Sequence, residues 1–174
     1  MEEELILVDL SDNPIGYLGK TKTHELGLLH RAFSIFIFND KHELLLQQRA
    51  LNKYHSGGLW TNSCCSHPRK NETILESAER RLMEEMGIST SLKKNFDFIY
   101  KATFDNALIE HEFDHVFFGN YNLPPVINTD EVMDWKYESL NNIKTDMQKN
   151  PNKYTEWFKI CFDEVQKRML QSAH

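Results

Sequence analysis

Residues 30–49 read HRAFSIFIFNDKHELLLQQR. The first part, residues 30–38, is rich in β-branched and aromatic side chains at strand length, and Asn39-Asp40-Lys41 turns it back into Glu43-Leu44-Leu45-Leu46-Gln47-Gln48-Arg49. That pattern predicts a β-hairpin. Residues 52–68 follow as a loop containing Gly57-Gly58, with almost no hydrophobic period. A helix over 73–87 comes next: Thr73 with Glu76 fits a capping box, Ile74, Ala78, Leu82 and Met86 recur every fourth residue, and Gly87 supplies the stop. Upstream, Leu5-Ile6-Leu7-Val8 reads as a strand ending at the turn residues Ser11 to Pro14, while Lys20 to His24 is too polar and β-branched to assign. Downstream are strands at 98–102, 109–121 and 135–137, a modest helix at 139–149, and a final helix with Asn150 as cap and Pro151 at its first position. The core stripe of that last helix is Phe158, Phe162, Val165 and Met169. Mixed strands, some hairpin-linked, with interspersed helices argue an α/β sandwich built on a mixed sheet.

The 174 residues show no repeat, linker or composition break, so a single domain over 1–174 is expected. With 40% hydrophobic and 26% charged residues, the chain is neither disordered nor low in complexity. A net charge of −6 disfavours nucleic acid and anionic membranes as partners, while leaving room for a local basic pocket. No apolar run reaches the roughly 18 residues of a membrane span. Met1-Glu2-Glu3-Glu4 lacks the cationic start of a signal peptide, and three cysteines, two of them adjacent, make a poor disulfide framework. Reduced thiols and a cytoplasmic location are the expectation.

Several residues ask for a chemical explanation. Glu85 lies within roughly 20° of the apolar Ala78 on the 73–87 helix, so its carboxylate needs a partner, either Arg81 one turn back or a hard cation such as Mg²⁺. Glu110 and Glu112 share a strand face with Val116 and Phe118, roughly 6–7 Å apart along the strand. They belong either to a solvated edge or around a cation. His24, His30 and His67, each alone readable as a capped histidine, would complete an N/O site for Mn²⁺, Mg²⁺ or Zn²⁺ with those two glutamates. Cys65 sits in WTNSCCSHP beside His67, a polar setting for a residue that otherwise packs as a small hydrophobe. Cys64 points elsewhere, and Cys161 is read as packing. Lys20, Lys22, Arg49 and Lys53 bracket the first hairpin as solvated charges or an anion site, Lys22 most readily as surface. Trp157, about 100° off the last helix's stripe, lines a cavity or packs on a loop.

Together the segments LHRAFSIFIFN, QRALNKYHSGGLWTNSCCSHP, ERRLMEEMG, YKATF, IEHE and YTEWF resemble the type 1 isopentenyl-diphosphate delta-isomerase family of the Nudix superfamily. The resemblance runs from about His24 to Trp157 and implies a Nudix-type α/β/α sandwich. It implies an isomerase interconverting isopentenyl and dimethylallyl diphosphate through a tertiary carbocation, for isoprenoid biosynthesis. Cys65 and Glu112 match the catalytic pair, Tyr100 the tyrosine bonded near the glutamate, and Trp157 the tryptophan facing the cation. His24, His30, His67, Glu110 and Glu112 match the ligands of one metal ion. Glu85, with the Cys65 carbonyl, matches the holder of a second, Mg²⁺, that bridges to the substrate. Lys20, Arg49, Lys53 and Arg81 match diphosphate contacts. The implied partner is a small isoprenoid diphosphate, and the expected assembly is a monomer or weak homodimer.

Two departures stand out. One residue fewer separates His24 from His30 than in the family pattern, and Tyr54-His55-Ser56 carries serine where an aromatic is commoner. A hydrolase-type Nudix box would read G-x5-E-x7-R-E-U-x-E-E-x-G-U, with U apolar. Here Glu72, Arg80, Leu82, Glu84, Glu85, Gly87 and Ile88 fit, Ser66 replaces the first glycine, and Arg81 replaces a glutamate of the core. That exchange removes a metal ligand and adds a cation for phosphate, which favours holding a diphosphate intact.

Overall fold

The computed structural model describes residues 2–172. Its elements run β1 (Glu4–Val8), β2 (Pro14–Gly19), α1 (Lys20–Leu26), β3 (His30–Phe38), β4 (Glu43–Arg49), β5 (Trp60–Thr61), β6 (Cys64–Ser66), α2 (Ile74–Met86), β7 (Lys93–Thr103), β8 (Ile109–Asn120), β9 (Val132–Ser139), α3 (Leu140–Lys149), a 3-10 turn (Pro151–Lys153) and α4 (Glu156–Ser172).

β3 is apolar at both parities and is buried on both faces, which puts it inside the sheet. Its even residues Phe36 and Phe38 join Leu44, Leu46 and Val116 under Ile143 of α3 and Phe158, Phe162 and Val165 of α4. Its odd residues Phe33, Ile35 and Ile37 join Leu45 and Phe117 under Ala78, Leu82 and Met86 of α2. The expected α/β/α sandwich on a mixed sheet is what forms.

The predicted β3–β4 hairpin closes only at its tip, where Phe38 faces Leu44. Beyond it the strands part, and the edges they would share are taken by the short strands β6, on Phe33 to Ile35 of β3, and β5, on Gln47 and Gln48 of β4. β3 runs parallel to β8 from the pair His30–Glu112 to Phe38–Asn120, and β4 runs antiparallel to β9. β7 completes the antiparallel pair with β8.

α2 starts and stops where its sequence directs. The Glu76 backbone N–H donates to the Thr73 hydroxyl (3.2 Å) and the Thr73 N–H to the Glu76 carboxylate (3.1 Å). Gly87 closes the helix at φ 63°, a conformation costly for a residue with a side chain. Three segments differ from expectation. Lys20 to His24, too polar and β-branched to assign, belong to α1 (Lys20–Leu26), held by burial of Thr23 and His24 and by left-handed Gly27 rather than by propensity. The loop over 52–68 contains β5 and β6, short strands that exist only through pairing with β4 and β3. The last helix does not begin at Asn150. Pro151–Lys153 is a separate turn, Tyr154 and Thr155 run extended, and α4 begins at Glu156. Thr155 is fastened there by its N–H to the Trp60 carbonyl (3.0 Å) and by the Thr61 hydroxyl at 2.8 Å.

Candidate active site

Strand register assembles the chemistry. Glu112 on β8 stands between His30 of β3 and Tyr100 of β7 in one cross-strand row. Glu110 lies one pleat away on the same face, and α1 presses His24 against it. Cys65 of β6 pairs with Ser34 of β3 and reaches the same side. A cavity of about 360 Å³ opens over this face, lined by His24, His67, Cys65, Tyr100, Glu110, Glu112 and Trp157 together with Lys20, Arg49, Lys53 and Arg81.

The histidines and glutamates form a buried polar knot. His24 Nε2 donates to Glu110 Oε1 at 2.6 Å. His30, wholly buried, donates from Nδ1 to the Leu28 carbonyl at 3.0 Å. Its Nε2 therefore faces Glu110 and Glu112, at 3.4 and 3.3 Å, without an aligned hydrogen bond to either. Burial opposes charge on His30, but the two carboxylates outweigh it and raise its pKa to about 10. Such a nitrogen wants either a proton or a metal ion, and its second nitrogen is already committed to a carbonyl, as in metal-bound imidazoles. His24 Nδ1 and His67 Nδ1 are likewise buried with no hydrogen-bond partner among the described residues. His24, His30 and Glu110 have ligand atoms within 4.8 Å of one another, a donor set able to hold a divalent ion. His67 stands beside them, its ring 6.4 Å from that of His30. Burial holds its pKa well below the usual histidine range, leaving a neutral, lone-pair-bearing ring.

Glu112 accepts a hydrogen bond from the Tyr100 hydroxyl. Burial, then the charge of Glu110, raises its carboxyl pKa. Burial also pushes the Cys65 thiol to about 12, against the pull of Arg49, and holds Tyr100 well above its ordinary value.

Glu85 stands apart from the cavity lining. Arg81 Nη2 donates to its Oε1 at 2.9 Å and the Cys64 thiol to its Oε2 at 2.7 Å. The ion pair with Arg81 read from helix spacing is therefore present. Glu131 bridges Lys53 and Arg81, the latter at 3.6 Å. Arg49 lies 5.2 Å over the Trp157 ring. Lys20 is largely desolvated, and burial, then Lys53, lowers its pKa. Trp157 is at once core and cavity wall, 3% exposed. Lys22 pairs with Glu25 on the surface, as its reading allowed, and Cys161 packs into the core from the buried face of α4.

Three residues went unread. Glu131 carries no periodic signal. Asp114 follows Glu112 on the same strand parity and could have been read from it. It is buried, accepts from the Ser34 hydroxyl at 2.8 Å, and burial raises its pKa well above the carboxylate range. His55 stands out in the sequence only as part of an unusual loop, yet its Nε2 lies 2.7 Å from Glu110 Oε2.

Comparison with known proteins agrees with this geometry. Residues 28–158 match the NUDIX domain family. Isopentenyl-diphosphate Delta-isomerase 2 of Aromatoleum aromaticum is 53% identical, with 95% of this chain and 87% of that protein covered. The enzyme of the same name from Photorhabdus laumondii is 55% identical, covering 91% and 90%. Among solved structures, DR0079 from Deinococcus radiodurans shares the fold with a TM-score of 0.71 at 18% identity, over 85% of this chain and 90% of that one. The Nudix box survives structurally: Arg80 Nε donates to Glu72 at 2.7 Å, bracing the loop before α2 against the helix. With its divergent box, its cysteine and glutamates on one cavity and relatives of this similarity, the chain belongs to the NUDIX family and, within it, to the isopentenyl-diphosphate Delta-isomerases.

Proposed function

We propose that this chain interconverts isopentenyl and dimethylallyl diphosphate, and that Cys65 and Glu112 carry the proton traffic. The observation that supports this most is the pair itself: a thiol and a Tyr100-bonded carboxyl lining one cavity, the pKa of each raised by burial.

Moving the double bond requires adding a proton at the terminal CH₂ carbon and removing one from C2. No group acidifies that carbon skeleton, so the intermediate is a tertiary cation, which water would capture as an alcohol. A deep, largely desolvated site answers that need. The pair holds one transferable proton: in one direction Glu112 as the acid, backed by Tyr100, delivers it to the terminal carbon and Cys65 as thiolate takes one from C2; in the reverse direction the Cys65 thiol delivers and the Glu112 carboxylate accepts. The Trp157 ring, already facing a guanidinium, stabilises the cation, worth about 2 kcal/mol when desolvated. Lys20, Arg49, Lys53 and Arg81 bind the diphosphate, Lys53 and Arg81 by releasing Glu131. His24, His30, His67, Glu110 and Glu112 would hold one divalent ion, and Glu85, on release from Arg81 and Cys64, would with the Cys65 carbonyl hold a Mg²⁺ that supplies positive charge for the diphosphate. A bound dication would neutralise the clustered carboxylates and the diphosphate charge. Arg81 in place of a hydrolase's glutamate supports retention of the diphosphate. A small isoprenoid diphosphate is then the partner. One domain over 1–174, active in the cytoplasm as a monomer or weak homodimer, completes the reading, and no helix among the described residues is long and apolar enough to cross a membrane.

Purified protein incubated with isopentenyl diphosphate and Mg²⁺ in deuterated water is expected to yield dimethylallyl diphosphate carrying deuterium. Release of phosphate or pyrophosphate without that product would instead make it a hydrolase and overturn the proposal.

A further inference from the structure

We propose that His55 is a positioning residue of the metal centre, holding the outer oxygen of Glu110 so that its inner oxygen alone faces the imidazoles. The inference rests on the reading that Glu110 binds metal. Glu110 divides its two oxygens between different neighbours: Oε1 lies 2.6 Å from His24 Nε2 and 3.4 Å from His30 Nε2, whereas Oε2 lies 2.7 Å from His55 Nε2. His55 is thus outside the group His24, His30 and Glu110, whose ligand atoms lie mutually close, and touches that group through the second carboxylate oxygen from another wall of the same cavity. A carboxylate with both oxygens free can swing or chelate. One with Oε2 pinned offers a single fixed donor.

The ring is built to do this. It stacks on Phe104 at 4.5 Å with planes 10° apart and meets the Trp157 ring edge-on at 5.8 Å, so its plane is set on two sides. Its Nδ1 lies 3.1 Å from the Ser56 hydroxyl and its Nε2 lies 2.7 Å from Glu110 Oε2, so both ring nitrogens have a polar neighbour. The His55 carbonyl accepts from Arg49 Nη2 at 3.1 Å, tying the same loop to the basic wall. Outer partners of this kind typically change metal affinity 10–100-fold when removed.

Packing and donation can be told apart by substitution. His55→Phe keeps the stack and loses the N–H; His55→Gln loses the stack and keeps a side-chain N–H. Mn²⁺ and Zn²⁺ dissociation constants are measured by competition with a chromophoric chelator, alongside circular dichroism of the metal-free proteins and the isomerase rate. The expected result is affinity about 10–100-fold weaker in His55→Phe, most of it recovered in His55→Gln. Should His55→Phe not fold, His55→Leu, equally unable to donate, takes its place. Wild-type affinity in His55→Phe, or equal losses in the Phe and Gln variants, would overturn the inference. A wild-type protein that binds neither ion would overturn the metal reading beneath it.

Discussion

Cys64 and Cys65 are adjacent, yet the pleat sends them to opposite faces. Cys64 is buried under α2 and donates to Glu85, while Cys65 lines the cavity under α4. If Cys65 moves the proton, Cys65→Ala should abolish turnover while circular dichroism and metal content stay at wild-type levels. Cys64→Ala should remain active, losing about 1–2 kcal/mol of stability in a urea titration as Glu85 loses a donor. An inactive Cys64→Ala beside an active Cys65→Ala would reverse the assignment. Alternation along a strand was readable at this scale, and so was the need of Glu85 for a partner. That its oxygens would meet both Arg81 and Cys64 was not, because Cys64 lies on a strand 21 positions away in sequence.

At the scale of elements, the junction of α3 and α4 decides where Trp157 sits. Asp146 in the last turn of α3 accepts from Lys153 Nζ (2.8 Å), from Asn150 Nδ2 (2.9 Å) and from the Tyr154 hydroxyl. Lys153, then Tyr154 and Asn150, hold its carboxyl well below the usual range. A depressed pKa contributes stability that is present above the unfolded value of about 4 and is lost as pH falls toward the folded value. Because the carboxylate is partly solvated, Asp146→Asn should cost no more than about 1 kcal/mol at pH 7. The gap between variant and wild type should shrink in urea titrations carried below about pH 4, and a gap that widens in acid would contradict the assignment. Asn150 and Pro151 carry a helix-start signal, and a helical turn does begin there. It stops because Tyr154 and Thr155 are drawn into extended pairing with Trp60, a contact no local pattern announces.

For the molecule as a whole, the polar knot is an electrostatic burden that a bound cation would relieve. His24, His30, Glu110 and Glu112 are all buried, two carboxylates share one face, and imidazole nitrogens lack partners. A ligand bound only by the native state stabilises it by about 2.7 kcal/mol at a hundredfold excess over its Kd. For a chain of this size that corresponds to roughly 5–10 °C in Tm. Calorimetry with saturating Mn²⁺ or Zn²⁺, against protein treated with chelator, should show a shift of this size. An unchanged Tm would count against metal binding at this knot.

Local rules settled a great deal here: the apolar β3 and β4, the capped and amphipathic α2, the parity that puts Glu110, Glu112 and Val116 on one face, and the motifs that resemble the isomerases. These are properties of short stretches, in which period and cap chemistry act between residues a few positions apart. Tertiary structure decided what those stretches touch. β5 and β6 inserted between β3 and β4, α1 formed from residues with little helix preference, and Trp157 was fixed by the break before α4. His24 meets Glu110 across 86 positions of sequence, and His55 reaches the same carboxylate from a loop without period. Such contacts depend on strand register and on closure of long loops, which only the packing of the whole chain determines.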